Sequence, residues 1–177
     1  FYYPAARTTV SLGLSGTFED RRGGDLDVLE DGPAAGRVFL EENTSGRLTS
    51  QARLDHVLED LFGGNGLVTL KNSVSLFDRT IEVPGYRFDG RQAATYSEAS
   101  LLLSREAHDL VLGLDLRTDV FTEEATGTDP VRDYAYTSAG AFAQDTWDVT
   151  DHMVLETGLR ADYHDTFGLF VLPKASV

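Results

Sequence analysis

Cysteine is absent from the 177-residue sequence, so there is neither a disulfide framework nor a thiolate metal site, and the redox compartment is left open. Cations are scarce, since 15 lysine and arginine residues face 29 acidic residues and the formal net charge is -14. Such a charge repels polyanions and argues against nucleic acid as a partner. The first ten residues also lack the basic start and apolar segment of a signal peptide.

Long apolar runs are missing as well. The longest notable one, Leu101-Leu102-Leu103, falls far short of the roughly 18 residues that a membrane-spanning helix needs. A closed barrel is the other structure that can cross a bilayer, because it pairs every backbone polar group internally. The chain has no evident start and ends at Val177 inside an alternating run, so we expect a piece of a longer protein.

What the sequence does contain is alternation of apolar and polar residues, with the period of two that places side chains on opposite faces of a strand. The clearest case is four leucines at spacing two, from Leu110 to Leu116, with charged residues between and beside them. The pattern predicts eight strands, at residues 8–20, 47–58, 67–80, 95–104, 110–121, 134–147, 153–163 and 169–177. A helical interpretation of residues 54–62 stays open, because their apolar positions also fit a helical spacing.

The predicted connections are sorted by length. Long ones at 21–45, 82–94 and 122–133 alternate with short ones at 59–66, 105–108 and 148–152. Outer-membrane barrels have short periplasmic turns and long extracellular loops, whereas a soluble sandwich has no reason for this order. The sequence therefore predicts an all-β fold of antiparallel transmembrane β-barrel strands.

One face of these strands is suited to lipid. An apolar band ended by amphipathic aromatic residues, such as Trp147 and Tyr163, is what a spanning strand presents to the bilayer. Ala139, Ala141 and Ala143 are assigned to this face, although the parity of their strand is ambiguous, because that parity leads to Trp147. The other residues expected on the outer surface are Val10, Leu12, Leu14, Leu48, Leu54, Val68, Leu70, Leu101, Leu103, Leu112, Leu114, Leu155 and Leu159.

Residues 139–177 carry a sequence resemblance. Its motifs are Phe142-Ala143-Gln144-Asp145-x-Trp147, Thr150-Asp151, Gly158-Leu159-Arg160-x-Asp162-x-His164, Phe167-Gly168-x-Phe170 and Pro173. These motifs resemble the barrel of TonB-dependent outer-membrane receptors, and the strand and loop rhythm before them is compatible with that barrel.

The resemblance implies a 22-stranded barrel in the bacterial outer membrane, filled by an N-terminal plug and importing a scarce nutrient such as an iron–siderophore complex or cobalamin. Energy would come from an inner-membrane complex that pulls on the plug. Residues 1–177 would then be a partial transmembrane β-barrel domain without the plug and the remaining strands. The implied partners are outer-membrane lipid and lipopolysaccharide, the metal chelate or cobalamin, and the TonB complex through the missing plug segment. No cofactor is expected.

For ligand binding, the best candidates are Tyr86, Arg87, Phe88 and Arg91, which interleave rings and cations in the predicted loop 82–94. Such a set can hold a flat or anionic ligand by stacking and by charge-assisted hydrogen bonds. Ordinary packing in a solvent-exposed loop is the alternative for each of them.

Metal sites and catalysis are not expected. His56, His108, His152 and His164 are spread over different strand ends and never stand at ligand spacing. The acidic residues within 25–42 do not match an EF-hand, so a solvated loop face competes with calcium binding and with divalent-ion bridging to lipopolysaccharide. No nucleophile elbow or phosphate-binding glycine loop is present, which argues against an enzyme.

Acidic residues on the polar parity are expected to form ion pairs across a watery lumen. The expected pairs join Glu98, Asp115, Glu156 and Asp162 to Arg47, Arg53, Lys71, Arg117 and Arg160.

Two other interpretations remain open. A complete eight-stranded barrel with a structural or adhesive role fits the strand count, since eight strands close around packed side chains. A soluble all-β binding module would need its leucine faces buried against a second sheet. Part of a larger barrel would instead be an open sheet in which residues 8–18 and 169–177 do not pair.

Overall fold

The computed structural model describes residues 2–32, 38–124 and 130–177. They form one antiparallel sheet in which the strands follow one another in sequence order. The strands are β1 (Tyr2–Ala5), β2 (Thr8–Gly24), β3 (Leu40–Leu61), β4 (Gly64–Val83), β5 (Tyr86–Arg105), β6 (His108–Glu124), β7 (Tyr134–Thr150), β8 (Met153–His164) and β9 (Gly168–Ser176). One short helix, α1 (Leu26–Asp31), lies between β2 and β3. Within the described ranges, no helix is long and apolar enough to cross a membrane.

The all-β prediction is confirmed, with nine strands in place of eight. The additional strand is β1, whose four residues include Pro4 and are too few for an alternating pattern to stand out. The helical interpretation of residues 54–62 is wrong, because β3 continues in register with β4 as far as Leu58 and pairs again at Leu61.

The sheet is open. Strand β1 pairs with β2 and strand β9 pairs with β8, and the described residues show no pairing between β1 or β2 and β9. This arrangement confirms the expectation for part of a larger barrel. A closed eight-stranded barrel is therefore the wrong interpretation of this chain.

The predicted loop 82–94 is wrong. Strands β4 and β5 pair up to Val83 and Tyr86, which leaves Pro84-Gly85 as a two-residue turn. Gly85 has φ 82°, the left-handed conformation that glycine adopts without steric cost after a proline in a tight turn. The residues after this turn form a strand although they lack the aliphatic side chains that mark the other strands, because rings and charges alternate there with the same period of two.

The other long connections are shorter than predicted, and one contains structure. The connection between β2 and β3 is 25–39, and it holds α1, whose first turn is capped by the Asp25 carboxylate accepting from the Asp27 N–H at 3.2 Å. The connection between β6 and β7 is 125–133. Both lie at the same end of the sheet as 84–85 and 165–167, and we call this the long-loop end. At the opposite, short-turn end the connections are 6–7, 62–63, 106–107 and 151–152. The sorting by length therefore holds for 25–39 and 125–133, whereas 84–85 and 165–167 are short turns at the long-loop end.

The two faces of the sheet differ in chemistry. Cross-strand partners such as Leu54 and Leu70, or Leu70 and Ala99, place the predicted lipid-facing residues together on one face, which we call the apolar face. The alanines of β7 lie on it too, since Ala141 pairs with Leu114. Members of the predicted set are not buried, and Leu12, Leu14 and Leu114 are 78%, 75% and 64% exposed.

Side chains on the opposite, polar face are more enclosed. The buried polar residues Asn43, Thr69 and Asp115 all lie there, as expected for the concave side of a curved sheet. Among the described residues, Val28 of α1 is the one buried hydrophobic side chain. A soluble module with a dry core is thus excluded, because its leucines would have to be buried.

The apolar face carries a band of limited height. On β5 the band runs over residues 93–103, eleven residues between the outward-facing Arg91 and Arg105. On β6 it lies between His108 and Glu124. A tilted strand crosses a bilayer in about 9–11 residues, so the height of the band matches the hydrocarbon layer.

Candidate ligand-binding site on the polar face

A belt of charges crosses the middle of the polar face. Its acids are Asp55, Glu98, Asp115 and Asp162, and its cations are Arg53, Lys71, Arg117 and Arg160. The Asp115 side chain is only 2% exposed, and it accepts from Arg160 Nη2 at 2.6 Å. The belt has equal numbers of charges of each sign, so its members compensate one another, and removal of one partner would leave an unpaired charge in the wall of the sheet.

Above the belt, towards the long-loop end, aromatic rings cover the polar face. We call this set the aromatic strip: Phe88, Phe121, Tyr134, Tyr136, His164 and Phe167. Successive ring centroids are 6.4, 5.4, 4.8, 5.3 and 4.6 Å apart, within the range in which rings interact by offset stacking or tilted contact. The strip extends from β5 across β6 and β7 to the turn after β8.

A glycine makes room for the first rings of the strip. A Cβ at Gly90 would lie 2.6 Å from the Phe88 ring and 3.0 Å from the Phe121 ring. Because Gly90 has no side chain, both rings can lie against the backbone of β5. Since the rings of the strip come from β5, β6, β7 and β8 and from the turn after β8, the strip is built by the pairing of four strands and not by one local motif.

Arg132, just before β7, contacts the Phe88 end of the aromatic strip. Its guanidinium Cζ lies 5.2 Å from the Phe88 ring centroid, and its Nη2 donates to the Tyr86 hydroxyl at 3.2 Å. Arg132 also donates from Nε and Nη2 to the two carboxylate oxygens of Glu123, each at 2.7 Å. These bonds hold the pKa of Glu123 below its ordinary value and raise the pKa of Arg132 above its own.

Comparison with known proteins identifies the sheet. Residues 1–177 match the family model described as TonB dependent receptor-like, beta-barrel. The chain belongs to this family. Curated proteins gave no match. A receptor family agrees with the sequence-based expectation that the chain is not an enzyme.

Solved receptor structures have the same fold. A double-mutant form of the ferric enterobactin receptor of Pseudomonas aeruginosa aligns with a TM-score of 0.66 and 14% identity, over 98% of this chain and 29% of that one. The siderophore receptor PirA of P. aeruginosa aligns with a TM-score of 0.63 and 14% identity, over 98% and 28%. A mutant of the ferric enterobactin receptor in complex with enterobactin gives 0.61 and 14%, over 98% and 29%. This chain thus spans less than a third of the length of those receptors.

In a TonB-dependent receptor barrel, the apolar face is the outer, lipid-facing one and the polar face lines the interior. The aromatic strip is therefore on the inner face. It lies at the long-loop end, which is the extracellular end in such barrels. Trp147 and Tyr163 lie on the outer face, where amphipathic rings anchor a barrel in the membrane interface.

The four predicted ligand-binding residues lie together on β5 but on opposite faces. Tyr86 and Phe88 are on the inner face, Phe88 as the first ring of the aromatic strip. Arg87 and Arg91 point outward, where Arg87 Nε donates to Asp89 at 2.7 Å and Arg91 lies 3.7 Å from Glu124. The backbone of β5 separates the two tyrosine and phenylalanine rings from the two arginines, because successive side chains of a strand alternate between its faces.

Sequence reasoning missed the rest of the strip. Tyr134 and Tyr136 carried a usable signal, since the alanine parity of β7 already placed both on the polar face. Phe121 and His164 carried the same parity signal, since Phe121 lies opposite the leucine parity of β6 and His164 lies opposite the parity of Tyr163. A single strand does not show that these rings meet, because their proximity depends on cross-strand register, and Arg132 and Phe167 lie outside the alternating segments.

The predicted histidines make local contacts. His56 Nδ1 lies 2.9 Å from Thr8 Oγ1, and His108 Nδ1 lies 2.9 Å from Asp145 Oδ2. His164 makes tilted ring contacts within the strip. Within the part of the chain that the structure describes, no three histidine, cysteine or acidic side chains are grouped as a metal site.

Proposed function

We propose that this chain is part of the barrel of a bacterial outer-membrane receptor that binds an iron–siderophore complex at its extracellular end and takes it up. The observation that carries the proposal is the aromatic strip on the inner face. Water reaches the lumen side of a large barrel wall. Phe167 is 66% exposed there and the other five rings of the strip are half-buried, and ring surface left in water is unfavourable unless something covers it. A ligand that stacks on the rings would supply that cover.

The names of the similar solved structures support an iron chelate. They are receptors for ferric enterobactin or for a siderophore. At 14% identity this likeness extends to the fold, so the choice of ligand rests on the strip itself. Cobalamin is the second candidate, and it shares the need for a broad contact surface.

The remaining parts of the proposed receptor lie outside these residues. They comprise the other strands of the barrel, an N-terminal plug, and the segment through which the TonB complex would act. Lipid and lipopolysaccharide would cover the outer face described above. Of the four residues predicted to bind ligand, Tyr86 and Phe88 have the position for contact from the lumen, and Arg87 and Arg91 would act only on a group that reaches the outer face.

Uptake by the full-length receptor tests the proposal. The gene would be expressed in a strain that lacks its own siderophore and cobalamin receptors, and uptake of radiolabelled ferric enterobactin and cobalamin would be measured with and without TonB. We expect TonB-dependent uptake of the iron chelate. Uptake of cobalamin alone would favour the second candidate, and binding without any uptake would contradict a transport role.

A further inference from the structure

Two arginines of the inner face differ from every other described lysine and arginine in their lack of a described carboxylate partner. The remaining lysines and arginines of residues 2–32, 38–124 and 130–177 each have a carboxylate oxygen within 3.9 Å. Arg47 and Arg79 have none among those residues. In a chain with 29 acidic residues, two neighbouring cations without an acid require an explanation. For Arg47, this finding corrects the expected ion pair.

Neutral groups hold these two arginines in place. The Arg47 guanidinium Cζ lies 4.6 Å from the Phe77 ring centroid, and its Nη1 donates to Ser75 Oγ at 3.4 Å. Arg79 Nε donates to the Asn43 amide oxygen at 3.1 Å, and Asn43 is only 2% exposed. Both guanidinium groups are thus positioned by neutral groups, and no carboxylate within the described residues pairs with either of them.

The register places the arginines side by side. Arg47 pairs with Phe77, and Arg79 is two residues further along β4 on the same face. Diagonal neighbours in an antiparallel pair lie about 7–8 Å apart, within reach of long side chains, and two like charges at such a distance repel each other. An anion between the two guanidinium groups would remove the repulsion and accept charge-assisted hydrogen bonds from both.

This pair adjoins the aromatic strip. Arg79 is the cross-strand partner of Gly90, the residue on whose backbone the rings of Phe88 and Phe121 lie. A ligand that bridges the two features would need an anionic oxygen group next to a flat ring.

We propose that Arg47 and Arg79 form an anion site that, with the adjoining rings, selects ligands carrying a carboxylate or similar anionic oxygen group on an aromatic ring. The proposal deepens the proposed function, since it names the chemical group recognised at the same end of the lumen. It does not depend on transport, because anion binding can be measured on the purified receptor.

A matched pair of small probes tests the site. Catechol and 2,3-dihydroxybenzoate share one ring, and only the second carries a carboxylate at neutral pH. Each would be titrated into the full-length receptor in detergent. We expect the carboxylate to improve binding about tenfold, as charge-assisted hydrogen bonds predict, and the Arg47→Gln/Arg79→Gln variant to lose that preference. The Arg7→Gln/Arg105→Gln variant is the matched control, because it removes two ion-paired cations at the opposite end of the sheet and should keep the preference.

The outcomes separate the possible explanations. A preference that survives in Arg47→Gln/Arg79→Gln, with the barrel folded, would overturn the anion site. The wild-type receptor could also show no preference for the carboxylate, while the double substitution lowers its melting temperature. That result would mean that a carboxylate from elsewhere in the receptor pairs with the two arginines. It too would overturn ligand binding at this site. Failure of iron uptake with an intact carboxylate preference would contradict the proposed function alone.

Discussion

Arg160 reaches Asp115 over the backbone of Gly140, with Nη2 of the arginine 2.6 Å from Oδ2 of the aspartate. The two side chains come from β8 and β6, so their ion pair spans the intervening strand β7. A Cβ at Gly140 would lie 2.6 Å from both Arg160 Nη2 and Asp115 Oδ2. The absence of a side chain at this position is what lets the pair form.

Gly140→Ala should therefore destabilise the barrel. The added methyl group would displace an ion pair whose acid is almost fully buried, and we expect a loss of about 1–3 kcal/mol, as for overpacking elsewhere. Urea unfolding of the full-length receptor in lipid vesicles would measure it. Gly13→Ala is the control, because the nearest atom to its Cβ would be at an ordinary 3.7 Å. Equal stability of the two variants would contradict the structural role of Gly140.

Paired substitutions on β5 test the predicted ligand-binding residues. Tyr86→Ala/Phe88→Ala removes rings from the inner face. For the proposed iron–siderophore ligand, with ferric enterobactin as the probe, this change should weaken binding by about 1–3 kcal/mol, at 0.5–1.5 kcal/mol for each ring contact. Arg87→Ala/Arg91→Ala removes cations from the outer face, and we expect a smaller loss. Fluorescence titration of both variants gives the comparison. A larger loss from the arginine pair would show that the ligand reaches the outer face.

The sequence predicted the features that depend on a single strand, namely which face each side chain occupies. Leu112 and Leu114 reveal their face by alternation alone, and the alanines of β7 reveal theirs through Trp147. The strand after Pro84-Gly85 was missed, because Tyr86, Arg87 and Phe88 alternate rings with a cation and lack the aliphatic residues that usually mark a strand.

The candidate site was less predictable, because it depends on relations between strands. Phe121 meets Tyr134 only through the β6–β7 register, and Gly90 matters only because two rings lie over it. That no described carboxylate pairs with Arg79 is likewise a property of β3 and β5, which flank β4. No local pattern in a single sequence encodes these relations.

The contact between Arg132 and Glu123 should depend on pH. Arg132 lowers the pKa of Glu123 from its ordinary 4.5, so this bond stabilises the fold above that value and is lost as the pH falls through the lower, folded-state pKa. The Arg132 backbone N–H also donates to Glu123 at 3.0 Å. Hydrogen exchange of that amide, corrected for the intrinsic rate, should show protection at neutral pH that disappears in acid below 4.5. In Glu123→Gln the acid-dependent step should be gone, and its persistence would assign the protection to another group.

Gly113 and Phe142 should be coupled across β6 and β7. They are cross-strand partners, and a Cβ at Gly113 would overlap the Phe142 ring, with ring atoms at 2.6 and 2.8 Å among the nearest. Gly113→Ala should thus force the ring away and destabilise the barrel by about 1–3 kcal/mol. In Phe142→Ala the ring is gone, so adding Gly113→Ala to that variant should cost much less. Unfolding of the single and double variants in vesicles gives the interaction free energy, which we expect to be about 1 kcal/mol or more. Additive losses would mean that the ring does not rest on Gly113 in the membrane.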